Sequence, residues 1–204
     1  DLNLNLKGEF YVSLVYNLLV QDSLKILIYE VDYMLQWGTP EDVAEYNHWL
    51  NCFKNLSKKQ KNLQIEKNSI NLIPAAGLGS RFSKENYSDP KPLIKVGGDI
   101  MVIKAANMLP PSSKNIFVFH QDHLGSYKTE EVIKKYYPEA IIKTVNITTE
   151  GQACTCEIGV QDENLNHPLL IGACDNGIIF DHKKYQYLIG DQSIDAIAFS
   201  FRNN

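Results

Sequence analysis

The chain has 204 residues, 44% hydrophobic and 22% charged, a balance that excludes a disordered or fibrous protein and fits one soluble α/β domain with a sizeable core. A formal charge of −4 and a pI near 5.7 exclude the broad basic face that proteins use to meet nucleic acid, so any phosphate site must be local. The apolar stretch FYVSLVYNLLV at 10–20 is too short for a membrane span and is interrupted by Ser13, Tyr16 and Asn17; with no charged-then-apolar leader in view, a cytoplasmic protein with no membrane partner is expected. Cys52, Cys154, Cys156 and Cys174 lack the CxxC spacing of a zinc site and predict reduced thiols.

In chain order, residues 1–54 form a first segment, with a helix predicted over 10–21, a strand over 24–31, a turn at WGTP (37–40) and a helix from Pro40 to about Phe53. Thr39-Pro40-Glu41-Asp42 supplies an N-cap, a proline at the first helical position and two acids facing the positive end of the helix dipole. Residues 55–68 (NLSKKQKNLQIEKN) are polar, lysine-rich and without period, and read as a linker. From residue 69 to 204, strand-like and helix-like stretches alternate, as in βαβ units around a mostly parallel sheet. Strands are expected at roughly 69–75, 115–120, 140–146, 168–174 and 194–200. Helices are expected to end before Pro110, to run from Thr129 to Tyr137, to cover 151–160, and to start after Asp181.

The first strand runs into Gly77-Leu78-Gly79-Ser80-Arg81, where two glycines let backbone N–H groups approach an anion closely. Alone, this fits a plain turn equally well. It is not the dinucleotide fingerprint, because Phe82 stands where a small residue is needed and a polar loop is expected to follow; nor is it a Walker A loop, since no Gly-Lys-Ser/Thr follows. Nine residues beyond Arg81 comes Pro90-Lys91-Pro92-Leu93, a lysine between two residues that restrict the backbone. A fixed ammonium suits a polyphosphate, although a strand-entry turn with a solvated lysine has the same sequence. Asp175, in LLIGACDNG (169–177), is an acid at the carboxyl end of an apolar strand, where open α/β sheets build their ligand crevice and where magnesium finds a carboxylate; a turn aspartate is the plainer alternative. His120-Gln121-Asp122-His123 reads as a solvated loop, with no partner acid or cysteine at helical spacing to make it a metal site.

PAAGLGSRF (74–82) together with PKPLI (90–94), TEGQACT (149–155) and LLIGACDNG (169–177) resembles the sugar nucleotidyltransferases, in the family's order, over about residues 69–204. The resemblance implies a three-layer, Rossmann-like α/β fold and transfer of a nucleoside monophosphate from a triphosphate to a phosphorylated sugar or related small phosphate, with pyrophosphate released, as in sugar-nucleotide and polysaccharide biosynthesis. It implies that Ala75, Ala76, Gly77, Leu78 and Gly79 hold the nucleotide, that Arg81 and Lys91 meet its phosphates, that Gln152 lies near the base or ribose, and that Asp175 binds Mg²⁺. The implied partners are a nucleoside triphosphate and a small phosphorylated substrate, with oligomerisation compatible.

GEFYVSLVYNLL (8–19) followed by QWGTPEDVAEYNHW (36–49) resembles the closing segment of the same family, yet here it comes first. A permuted chain, the tail of an upstream unit joined to the head of a second, or a fragment would each give that order. Many members place acids where this chain has Ser13 and Gln36, which removes negative charge from the implied metal site. A non-catalytic nucleotide-binding or regulatory module of the same fold, and a phosphocholine-type cytidylyltransferase, are therefore the alternatives.

Overall fold

The computed structural model describes residues 5–6, 9–10, 12–26, 34–35, 37–57, 65–125, 127–164 and 166–200. The chain divides into two compact units, Asp1–Trp49 and Leu50–Asn204. In the first, Asn5–Leu6 pairs antiparallel with Glu9–Phe10, and α1 (Val12–Gln21) follows, with Ser13 in its first turn. The strand expected over 24–31 lies mostly outside the described residues, as does Gln36; residues 24–26 have no regular structure.

The second helix, α2 (Pro40–Ser57), begins in the first unit and ends in the second. Its start is held reciprocally: the Asp42 amide donates to Thr39 Oγ1 and the Thr39 amide donates to Asp42 Oδ2, both at 3.1 Å. Such a box satisfies two donors that a helix start otherwise leaves to water. No glycine or proline interrupts Lys54–Ser57, so α2 runs past Phe53 into the stretch read as linker, whose last residues open the next strand.

The second unit is built on β1 (Glu66–Ala75), β2 (Ser112–His120), β3 (Ile141–Val145) and β4 (Leu169–Ile171), paired in the order β3-β2-β1-β4, all parallel. β1 is central and buried from Ser69 to Ala75. A register shift between Glu66 and Ile70, with Asn68 at φ 61°, separates its irregular start from the ladder proper. Asparagine is among the residues that tolerate this left-handed conformation.

Alternation along β1 and β2 splits the core into two faces. Ile73, Ala75, Phe117 and Phe119 face α4 (Met101–Asn107) and α5 (Thr129–Tyr136), through Val102, Ile103, Ala106 and Ile133. Ile70, Leu72, Ile116 and Val118 face the opposite layer, α6 (Gln152–Val160), through Cys156. The result is three layers, helices on a parallel sheet on helices, the arrangement in which both faces of the strands must be apolar. α7 (His182–Ile189) is capped as expected, with Asp181 Oδ1 accepting from the amides of Lys183 and Lys184 at 2.9 and 3.1 Å.

Two expectations fail. Residues 194–200 form no strand: β-branched and aromatic content alone does not make one without a ladder partner, and here Phe199 packs its ring on Phe180 and Tyr185. The polar loop expected after Gly79 is a short helix, α3 (Ser80–Lys84), because Gly79 adopts φ 64° and its carbonyl accepts from the amides of Phe82 and Ser83. The dinucleotide fingerprint is still excluded by Phe82 alone. A tight hairpin, Lys95–Val96 with Asp99–Ile100 around Gly97-Gly98, precedes α4.

Among the described residues no helix is long and apolar enough to cross a membrane.

α6 seats on the sheet through Gly159, where an added Cβ would lie 2.5 Å from Leu72 Cδ1 and 2.9 Å from Val118 Cγ2. Both neighbours are fully buried and have no room to retreat. Gly159→Val is therefore expected to cost about 1–3 kcal/mol by overpacking, measured as a lower urea midpoint at an unchanged m-value.

Candidate functional site

The strand order fixes where a ligand crevice can form. From β1 the chain moves outward through β2 to β3 with α4 and α5 on one face, then returns across the other face through α6 to place β4 on the far side of β1. β1 and β4 therefore flank a topological switch point, and connections leaving their carboxyl ends diverge to leave a gap. Pro74 widens it. The Ile70 amide donates to the Pro168 carbonyl and the Gly172 amide to the Leu72 carbonyl, each at 2.9 Å. Alternate residues of β1 address β4, so residue 74 is the next in line, and proline has no N–H with which to continue the ladder.

The glycine loop leaves β1 at this point. Ala75 and Ala76 are buried, at 1% and 5% exposure, and anchor it. Gly77 is exposed, with nothing within 4 Å of where a Cβ would stand, and Leu78 is half exposed. Gly79 is required for two reasons: its φ of +64° is left-handed, and an added Cβ would lie 2.6 Å from Lys91 Cβ. The loop and the proline-flanked lysine thus touch at backbone distance.

Lys91 opens a 3₁₀ turn (Lys91–Leu93) between Pro90 and the buried Pro92. Its ammonium pairs with Asp175 Oδ2, which reaches it from the segment after β4; the two side chains are 20% and 33% exposed. Three sequence-distant elements, the glycine loop, PKPL and the strand-end acid, meet in this way at one point. Arg81, on α3, is exposed, and among the described residues no ion pair holds it. Gln152 is also exposed, as the first residue of α6; no hydrogen bond among the described residues joins it to the loop, Lys91 or Asp175. Ahead of it, Thr149 and Thr155 share a 2.7 Å hydroxyl contact that ties down the entry to α6.

The histidines are not a solvated loop. His120 and His123, at the carboxyl end of β2, are 6% and 5% exposed, with ring centroids 5.8 Å apart. Gln121 and Asp122 between them are exposed, as a solvated loop would be. His120 Nδ1 accepts from the Asp122 amide at 3.3 Å and also lies 3.3 Å from Asp122 Oδ2. Burial, reinforced by His120, holds His123 below the ordinary histidine range, against the opposing pull of the Ala75 backbone and Asp122. His123 Nδ1 is buried without a hydrogen-bond partner. The His123 carbonyl accepts from the Thr129 hydroxyl, which fixes the turn to the start of α5.

A cavity of about 480 Å³ lies elsewhere, at the amino ends of β1 and β4, lined by Ser69, Asn71, Leu169, Tyr185 and Phe199 among others. Its walls include none of Gly79, Arg81, Lys91 or Asp175, and the carboxyl ends of the strands, where these residues meet or lie, are the better candidate.

Compared with known proteins, the chain matches no family model and no curated protein. Among solved structures it is similar to a nucleoside-diphosphate-sugar pyrophosphorylase from Vibrio cholerae RC9, at 21% identity and a TM-score of 0.41 over 56% of this chain. The match covers 52% of that protein, so the chain aligns with about half of its length.

Cys174 precedes Asp175 and packs against the α4/α5 face of the core. Burial pushes its thiol up to about 11, with Asp175 adding to the rise and Lys91 opposing it. Alkylation of Cys174 by iodoacetamide, followed by mass spectrometry, is expected to be slow at pH 8 and to accelerate only as pH approaches 11; a half-maximal rate near the ordinary thiol value would show that the site is more open than described.

Proposed function

We propose that this chain carries the nucleotide half of a nucleotidyltransferase, moving a nucleoside monophosphate from a nucleoside triphosphate to a phosphorylated sugar or a related small phosphate. One observation carries the reading: Gly79 in a left-handed conformation lies against Lys91, and Lys91 pairs with Asp175, at the switch point between β1 and β4. Bare backbone, a positioned cation and a strand-end carboxylate are the groups a polyphosphate with its metal requires.

In the proposed reaction an oxygen of the substrate phosphate attacks the α-phosphorus in line, the bond from that phosphorus to the oxygen bridging the β-phosphate breaks, and pyrophosphate leaves with the electron pair. The nucleophile is already an anion, so the protein has to position two anions and offset their repulsion. Ala75 to Gly79 cradle the nucleotide with backbone groups, Lys91 and Arg81 meet the phosphates, and Gln152 serves the nucleoside. Among the described residues no three His, Cys, Asp or Glu gather into a metal cage. A single carboxylate at Asp175 fits magnesium, which keeps most of its shell for water and phosphate, and the ion would supply charge neutralisation.

A non-catalytic nucleotide-binding module is the second reading, favoured by Ser13 and Gln36 at positions where acids are expected. Pyrophosphate release with magnesium, a triphosphate and candidate sugar phosphates separates the two, and phosphocholine as acceptor covers the cytidylyltransferase variant. Thermal stabilisation by nucleotide without pyrophosphate release would support the binding module.

Arg81→Ala is expected to leave the fold intact and to weaken triphosphate binding by about 1.5–3 kcal/mol, since the side chain is exposed and the contact charge-assisted. Unchanged affinity by calorimetry would remove Arg81 from the phosphate site.

A further inference from the structure

Lys91 is held at both ends. Its backbone sits in the 3₁₀ turn between Pro90 and Pro92, its Cβ is fixed against Gly79, and its ammonium is bound to Asp175 Oδ2 across 84 residues of sequence. With side-chain exposures of 20% and 33%, the pair is only partly screened by water. We propose that Lys91 is an internal counter-ion for Asp175, which keeps free divalent cations off the carboxylate until a polyphosphate draws the ammonium away. The proposal rests, for its polyphosphate half, on the nucleotide-site reading above.

The physical basis is competition for one carboxylate. A divalent cation approaching Asp175 must displace Lys91 from Oδ2 or bind beside its positive charge, and either costs affinity. No other acid is described in contact with the pair, and no cluster of three ligating side chains offers the cation another seat among the described residues. A polyphosphate changes the balance, because it carries more negative charge than one carboxylate and supplies oxygens to both cations. Fixed at its base, the Lys91 side chain needs only rotamer changes to exchange partners. Metal and polyphosphate then bind with positive coupling, each raising the affinity of the other by the same factor.

The test uses Mn²⁺, followed by electron paramagnetic resonance, on the full chain without nucleotide. Lys91→Met is expected to bind Mn²⁺ about five- to tenfold more tightly than the original chain, and the Lys91→Met/Asp175→Asn double variant is expected to lose that gain. Lys91→Gln should move in the same direction, so that a folding failure of one variant, checked by circular dichroism, does not remove the test. Equal or weaker Mn²⁺ binding in a folded Lys91 variant overturns the counter-ion, whatever the nucleotide results. Inorganic tripolyphosphate is expected to raise the Mn²⁺ affinity of the original chain and to do so less in Lys91→Met; an equal effect in both overturns the proposed exchange. Nucleotides that fail to bind while Lys91→Met tightens Mn²⁺ would overturn the functional reading and leave the counter-ion standing.

Discussion

Burial of β1 is the constraint on which the second unit depends. Its residues from Ser69 to Ala75 are covered on both faces and paired on both edges, to β2 over most of its length and to β4 for three residues. A strand enclosed in this way must be apolar on both sides, and Ile70, Leu72, Ile73 and Ala75 meet that demand. Their fixed position also sets where the backbone may leave the sheet. Because Pro74 cannot extend the ladder toward β4, the strand parts from its neighbour just before the glycines, and the crevice begins there.

Charge then does what shape alone cannot. The pairing of Lys91 with Asp175 joins the turn after α3 to the segment after β4, two connections the sheet does not otherwise tie together. Partly exposed ion pairs contribute little to stability, because water screens them and two flexible side chains must be ordered. Here much of that ordering is already provided by the prolines and by Gly79, which suits a pair held for positioning. The thiol of Cys174 responds to both partners, raised by the carboxylate and lowered by the ammonium.

Much of this was legible in the sequence, for identifiable reasons. The inner strands β1 and β2 are visible because enclosed parallel strands are near-continuous apolar runs, the edge strands β3 and β4 because they are short apolar runs rich in isoleucine and leucine, and the α2 and α7 starts because Thr39 and Asp181 are strong caps. The false strand at 194–200 had the same composition but no partner, and pairing is not a local property. The β1 irregularity at Asn68 and the helix after Gly79 depend on single left-handed residues. The Gly97-Gly98 hairpin carries a two-residue turn signal in its two consecutive glycines. Within the candidate site, residue types gave Gly79, Lys91 and Asp175, but nothing in their spacing shows that the three touch. The burial of His120 and His123 is not legible because Gln121 and Asp122 between them are exposed, and residue types alone do not show which side chains of a polar turn point inward.

Local charge also bears on whether such a site can work without a metal. Lys91 and Asp175 cancel while paired, which leaves Arg81 as the exposed cation of the predicted phosphate-binding set. A triphosphate and a phosphorylated acceptor together bring several negative charges, more than Arg81 and a released Lys91 can offset. Releasing Lys91 also uncovers Asp175, adding one more negative charge beside the anions. The carboxylate is then a liability unless a second cation takes the place of the ammonium. On the proposed nucleotidyltransferase reading, an acid at this point occupied by a lysine would call for a divalent ion arriving with the polyphosphate.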